Sequence, residues 1–263
     1  HLKPLAKLSL LLLLLWLGYA RLFCKSSIAG FDHVCILGPS KQVRCWGSAA
    51  DGALGDGQTT NDRGDASNEM GDNMPDVDIN DEALVIAVGF DSACAITPGL
   101  YLKCWGLNDQ GQLGLGDANN RGDGSNEMGV YIPAVDTGSR LVFQVAKAEY
   151  HTVILDEQGG VKAFGYNNVG QLGYEDTTNR GDSSGQMGNS LPFIDLGTGV
   201  YAILITAGQA TSCAFLDSLA VKCWGENGFG QCGQESTGDI GRSNGDMGDN
   251  LPAIQFPTGV DVS

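Results

Sequence analysis

Positive charge is scarce in this chain. Fifteen lysines and arginines stand against 31 aspartates and glutamates, a formal net charge of −16 over 263 residues. That balance argues against a nucleic-acid-binding surface, because contact with a phosphate backbone needs clustered Lys and Arg. Charged residues of both signs reach only 17%, and no long stretch is rich in Ala, Glu, Lys and Leu, so long solvent-facing helices are not expected. Histidine is limited to His1, His33 and His151, and nothing in the sequence requires a Ser-His-Asp arrangement. No glycine motif of the phosphate-binding kind stands between a strand and a helix. Long apolar runs are missing as well. The leucine-rich run Leu8–Leu17 falls short of the ~20 residues that a membrane-spanning helix needs.

That run is preceded by Lys3 and Lys7 and followed by Gly18-Tyr19-Ala20. A basic start, a short apolar core and a small-residue end form the layout of a secretory signal peptide over residues 1–20. An uncleaved signal anchor is the alternative reading. The expected location is therefore secreted or extracellular, with cytoplasm or nucleus as the alternative.

Glycine is abundant, at 39 residues, and much of it recurs in register. Cys45-Trp46-Gly47, Cys104-Trp105-Gly106, Ala163-Phe164-Gly165 and Cys223-Trp224-Gly225 follow one another at steps of 59, 59 and 60 residues. Ahead of each lies an apolar segment: FDHVCIL from Phe31, FDSACAI from Phe90, EYHTVIL from Glu149 and QATSCAF from Gln209. Behind each lies a glycine turn: DGALG at 51–55, QGQLG at 110–114, VGQLG ending at Gly173, and FGQCG at 229–233. A loop and a proline-bearing segment (MPDVDI, IPAVDT, LPFIDL, LPAIQF) complete the unit. The second unit shows the expected strands: LVIAVG (84–89), FDSACAI (90–96), LYLKCW (100–105) after the turn Thr97-Pro98-Gly99, and YIPAVD (131–136) as a fourth, with Pro133 implying an edge or a strand end. About four strands per repeat, with one aromatic and a fixed glycine pattern, describes a propeller blade that must stack on its neighbours to bury its faces.

The pattern resembles the regulator of chromosome condensation (RCC1) repeat. The third unit carries most of it in His151, Thr152, Gly160, Val161, Phe164, Gly165, Asn167, Gly170, Gln171, Leu172 and Gly173; the second matches at Trp105, Gly106, Asn108, Gly111, Gln112, Leu113 and Gly114. The resemblance implies an all-β fold, a β-propeller of four-stranded blades. Units are expected at about 21–79, 80–138, 139–198 and 199–257, and a fifth begins at 258–263, where Thr258-Gly259-Val260 repeats Thr198-Gly199-Val200. Family propellers usually have about seven blades, and this length holds about four, an incomplete ring.

Six of the eight cysteines form pairs ten residues apart: Cys35/Cys45, Cys94/Cys104 and Cys213/Cys223. A turn centred on Gly99 sets Cys94 opposite Cys104, within reach of a disulfide. In the third unit both positions change together, to Val153 and Ala163. Three hairpin disulfides are expected, against the alternative of small buried thiols. The spacing lacks the short knuckle of a zinc site, two cysteines with about two to four residues between them. Cys24 and Cys232 remain unassigned, and Cys232 takes the Leu position of the GQLG turn.

The tripeptide Arg-Gly-Asp occurs three times at one position of the repeat: Arg63-Gly64-Asp65, Arg121-Gly122-Asp123 and Arg180-Gly181-Asp182. The fourth unit has Asp239-Ile240-Gly241-Arg242-Ser243 instead. Its surroundings recur too, in Asn61/Asn120/Asn179, Met70/Met128/Met187/Met247 and Gly71/Gly129/Gly188/Gly248. Loop architecture is the favoured account, with adhesion-receptor binding by repeated exposed loops as the sharper hypothesis. Asp117, Asn119 and Asp123, or Asp176, Asn179 and Asp182, offer oxygens for calcium, but EF-hand spacing is not met. His33 and His151 share their repeat position with Ser92 and Thr211 and read as strand-turn hydrogen-bonders.

Two function classes follow. One is a non-enzymatic, secreted protein-binding propeller that meets its partner through loops of successive blades; the fold's secreted members include an inhibitor of beta-lactamases. The other is the activity that names the family, nucleotide exchange on a small GTPase, or an intracellular scaffold for one. Neither calls for a cofactor or metal, and fold alone does not choose between them.

Overall fold

The computed structural model describes residues 26–256. The leader expected over 1–20, Cys24, and the start of a fifth repeat at 258–263 lie outside the described residues. Each repeat folds as an antiparallel meander of three strands. The first blade comprises β1 (Ser26–Ala29), β2 (His33–Leu37) and β3 (Val43–Gly47); the second β4 (Val85–Val88), β5 (Ser92–Ile96) and β6 (Leu102–Gly106). The third comprises β7 (Val142–Lys147), β8 (His151–Asp156) and β9 (Val161–Gly165); the fourth β10 (Ala202–Ala207), β11 (Thr211–Leu216) and β12 (Val221–Gly225).

Burial along the middle strands reports each blade's place in the stack. β5 and β8 are buried at every position, because a blade covers each face. β2 and β11 alternate between buried and half-buried residues, the pattern of a strand covered on one face. Three apolar clusters fill the three spaces between the four blades. Leu37, Val43 and Cys45 meet Ile86, Ala95 and Trp105 in the first. Ile96, Leu102 and Cys104 meet Val145, Ile154 and Phe164 in the second. Leu155, Val161 and Ala163 meet Ile205, Ala214 and Trp224 in the third. Truncating one such Leu or Ile to Ala costs about 2–5 kcal/mol. The inner strands are also joined by a polar clasp: the Gln144 side chain donates to the Ile205 carbonyl at 2.9 Å and accepts the Ile205 N–H at 2.9 Å.

The expected fourth strand does not form. After a 3₁₀ turn at Gly129–Tyr131, the segment holding Pro133 runs extended beside β6 with one backbone bond, from Val135 N–H to the Leu102 carbonyl. Val77 with Val43, Ile194 with Val161, and Ile254 with Val221 repeat the arrangement. In an antiparallel ladder every second residue bonds the same neighbour. The residue two places before each of these donors is Pro75, Pro133, Pro192 or Pro252, which has no N–H to give. The blades are therefore three-stranded, each with a tethered extended segment outside.

Candidate binding loops

The loop that carries the Arg-Gly-Asp tripeptide is built from the blade outward. The residue in the Arg position bridges to the Gly that ends the third strand, in the pairs Gly47–Arg63, Gly106–Arg121, Gly165–Arg180 and Gly225–Ile240. A fully buried Asn then pins the loop to the glycine turn. Asn108 Nδ2 donates to the carbonyls of Asp117 and Asn119, and its Oδ1 accepts Leu113 N–H at 2.9 Å. Asn167 and Asn227 make the same set. The first blade has Ala49 there and lacks the amide; its N–H donates to Asp62 Oδ1, as the three Asn N–H groups donate to Asn120, Asn179 and Asp239.

The arginines are used inside the loop. Arg121 Nη2 donates to Asp117 Oδ2 at 2.7 Å, and Nη1 to the carbonyls of Asn119 and Asn120. Arg180 does the same with Asp176, Thr178 and Asn179, its guanidinium lying 5.4 Å from the Tyr174 ring centre; Arg63 pairs with Asp56 at 2.7 Å. The glycines are pressed against the preceding blade. Gly57 N–H donates to the Gly122 carbonyl, and Gly116 N–H to that of Gly181. Gly122 has φ +86°, and a Cβ there would stand 2.9 Å from the Gly52 carbonyl oxygen. Asp65 is exposed, whereas Asp123 and Asp182 are half-buried. Asn120 Nδ2 reaches Asp51 Oδ1 across the blade boundary, and Asn179 Nδ2 reaches Gln110 Oε1.

One recurring residue escaped the sequence reading. Glu69, Glu127, Gln186 and Asp246 each stand just before the repeated Met, and each turns an oxygen into the loop's backbone N–H groups. Glu127 Oε2 accepts from Gly122, Asp123 and Gly124; Asp246 Oδ2 accepts from Gly241, Arg242 and Ser243. Burial opposes the charge on Glu127, but hydrogen bonds from Asp123 and the loop N–H groups outweigh it and hold its carboxyl below the usual range. Asp123 is displaced upward, by burial and then by Glu127. The signal was an oxygen-bearing side chain always one residue ahead of Met.

Two of the carboxylates considered for calcium are engaged elsewhere: Asp117 serves Asn108, Asn119 N–H and Arg121, and Asp176 serves Asn167, Thr178 N–H and Arg180. Among the described residues no group of three His, Cys, Asp or Glu side chains is placed to hold a metal. His151 is fully buried, with Nε2 2.8 Å from Ser212 Oγ. The three cysteine pairs are directly opposed in register, with Cα atoms 4.2, 4.0 and 4.1 Å apart and sulfurs at bonding distance. Cys232 is a buried free thiol, and burial pushes it up to about 11. Among the described residues no helix is long and apolar enough to cross a membrane.

Four meanders stacked face to face, with loops pinned at one end, define a β-propeller in an incomplete ring. Yeast RCC1 (Prp20), solved bound to Kap60, superposes with a TM-score of 0.65 at 21% identity, covering 90% of this chain and 50% of that one. Human WBSCR16 gives 0.62 at 16%, covering 88% and 53%. The probable E3 ubiquitin-protein ligase HERC4 of Homo sapiens is 27% identical over 210 residues, 79% of this chain and 18% of the relative. The X-linked retinitis pigmentosa GTPase regulator of Homo sapiens is 29% identical over 162 residues, 61% of this chain and 14% of the relative. No family model matches. The chain thus spans about half of the solved propellers it resembles and less than a fifth of these curated relatives. The fold is that of an RCC1-like β-propeller, and the repeat signature is similar to the RCC1 repeat.

Proposed function

We propose that this chain acts by binding a partner protein, without catalysis, through the end loops of successive blades. The observation that carries the reading is the locking of the second and third loops to the blade before them, through Gly57–Gly122, Gly116–Gly181, Asn120–Asp51 and Asn179–Gln110. A preorganised loop array loses little conformational entropy on binding. A regulatory or scaffolding partner in a small-GTPase system has the stronger support. Prp20p of Saccharomyces cerevisiae was solved together with a study of its binding to Gsp1p and histones, and a second relative is named a GTPase regulator. The test is nucleotide release from a panel of small GTPases, with and without the purified chain. Release or complex formation with one member supports the reading; none across the panel removes this partner class. The three opposed cysteine pairs favour a second reading, an extracellular binding propeller, since such pairs persist as disulfides in oxidising compartments. Thiol alkylation of protein from its natural source separates the two.

A further inference from the structure

At the end where the third strands finish, two parts of each blade meet. The loop after the third strand donates back to the turn between the first two strands: Ser48 to Asp32, Leu107 to Asp91, Tyr166 to Tyr150 and Glu226 to Ala210, at 2.9 Å each. Successive turns press backbone on backbone. A Cβ on Gly30 would collide with the Gly89 carbonyl oxygen, and one on Gly89 with that of Ala148. Phe31 N–H also reaches the Phe90 carbonyl at 3.3 Å. This close approach stacks Phe31 on Phe90 with ring centres 4.4 Å apart; Phe90 and Tyr150 follow at 5.9 Å, and Tyr150 and Tyr166 at 6.4 Å. Phe31 is 69% exposed, and the ladder crosses three blades.

Carboxylates flank these rings. Positions 31–32, 48–51, 90–91, 107–110, 149–150, 166–169, 209–210 and 226–229 contain Asp32, Asp51, Asp91, Asp109, Glu149 and Glu226 and no Lys or Arg. Asp91 is pushed up to about 6 by burial, then by Asp51 and Asp32, so carboxylates of neighbouring blades already repel one another. The nearby cation, Lys147, is buried and turns its ammonium inward to the Gln112 carbonyl and Thr152 Oγ1. Aromatic faces next to uncompensated carboxylates suit guanidinium and ammonium groups, which gain cation–π and charge-assisted contacts together.

We propose that this face docks a lysine- and arginine-rich segment of a partner protein. The inference rests on the protein-binding reading above and names the chemistry of the partner's contact. A ladder over three blades fits an extended segment with several cationic side chains, and opposite charge speeds its capture.

The test is fluorescence anisotropy of the whole chain with labelled deca-arginine and deca-lysine peptides, and a neutral peptide of equal length. Three variants are compared: Asp91→Asn with Glu149→Gln, Phe90→Leu with Tyr150→Leu, and the control Asp72→Asn with Glu235→Gln, which removes two carboxylates elsewhere. The expected result is salt-sensitive binding of the cationic peptides, weakened at least tenfold by the first variant and threefold or more by the second. The control should retain native affinity. Equal loss in the control reduces the effect to net charge and overturns the proposal, as does absence of cationic-peptide binding. A physiological partner bound equally by native chain and first variant also overturns it while leaving the protein-binding reading intact. No partner for the native chain sinks both.

Discussion

Lys147 donates from Nζ to the backbone oxygen of Gln112 at 3.1 Å, where the repeat elsewhere delivers an indole N–H. Trp105 Nε1 reaches the Ala53 carbonyl at 3.2 Å and Trp224 Nε1 that of Gln171 at 3.1 Å; both acceptors are repeat equivalents of Gln112. Phe164 fills the same buried volume in the third blade but has no N–H. Lys147 takes the place of the indole, beside the Thr152 hydroxyl, whose equivalent Ser212 bonds Gln171 in the same way. Burial pushes the ammonium down to about 7. The unfolded chain therefore binds more protons than the folded one between about pH 7 and 10.5. Stability should rise with pH through that window, by up to about 1.4 kcal/mol per pH unit from this group. Lys162 and Lys222 are displaced the same way, so the comparison must be with Lys147→Met. Urea unfolding at several pH values from 7.5 to 9.5 should give a shallower rise for the variant. Identical slopes would mean that the ammonium is charged in the fold.

The histidines act at the acid end. Burial pushes His33 down to about 4 and His151 to about 3, with Lys147 adding to the depression. Both folded values lie below the ordinary 6.5, so the unfolded chain takes up more protons as pH falls. Their contribution is intact above pH 6.5 and is lost toward pH 4. His151→Gln keeps a polar group near Ser212 and should flatten the fall in melting temperature between pH 6.5 and 4.5. Calorimetry at fixed ionic strength reads it, and an unchanged acid limb counts against the assignment.

The repeat, the strands and the pairing of Cys94 with Cys104 were legible because each leaves a periodic trace: a step of 59 or 60 residues, alternating apolar positions, a turn midway between two cysteines. The overcounted fourth strand came from reading YIPAVD by its apolar residues, when the missing donor of Pro133 decides whether a ladder forms. The roles of Glu127 and Gln186 were hidden because the two differ in charge and share only a carbonyl-type oxygen. The Phe31–Phe90–Tyr150 ladder was hidden for another reason. Tyr150 is not the repeat equivalent of Phe90, since Glu149 holds that place, and only the stacking of blades brings the rings together.

The third blade forecasts the consequence of removing a cysteine pair. Val153 and Ala163 occupy the paired positions there and are fully buried at the interface with the fourth blade. Cys94→Val with Cys104→Ala should therefore fold and keep its packing. It loses a link closing a separation of 10 residues, a loss of about 2–3 kcal/mol on the loop-entropy account. Chemical denaturation should place the midpoint lower with cooperativity retained. A midpoint equal to that of the oxidised native chain would show that the sulfurs act only as packing atoms.

The recurring tripeptide is decided by its glycine and its arginine. In the fourth blade Arg and Asp give way to Ile240 and Arg242, yet Gly241 stays at φ +89° against the Gly170 carbonyl oxygen. The constant element is the one that the blade boundary demands, as expected of architecture. Gly122→Ala should be destabilised by about 2–4 kcal/mol, combining a strained backbone with a clash at Gly52. A receptor that reads the tripeptide needs the Arg and Asp side chains free. Arg121 and Arg180 are tied to Asp117 and Asp176, and Asp65 is the exposed aspartate of the three. Cells plated on the immobilised chain should adhere no better than on a variant carrying Asp65→Glu, Asp123→Glu and Asp182→Glu. Divalent-cation-dependent adhesion that this variant abolishes, at unchanged melting temperature, would make the loops receptor ligands after all. Retention by Asp65→Glu alone would then place the contact on the second or third blade, where the arginine must leave its aspartate to bind.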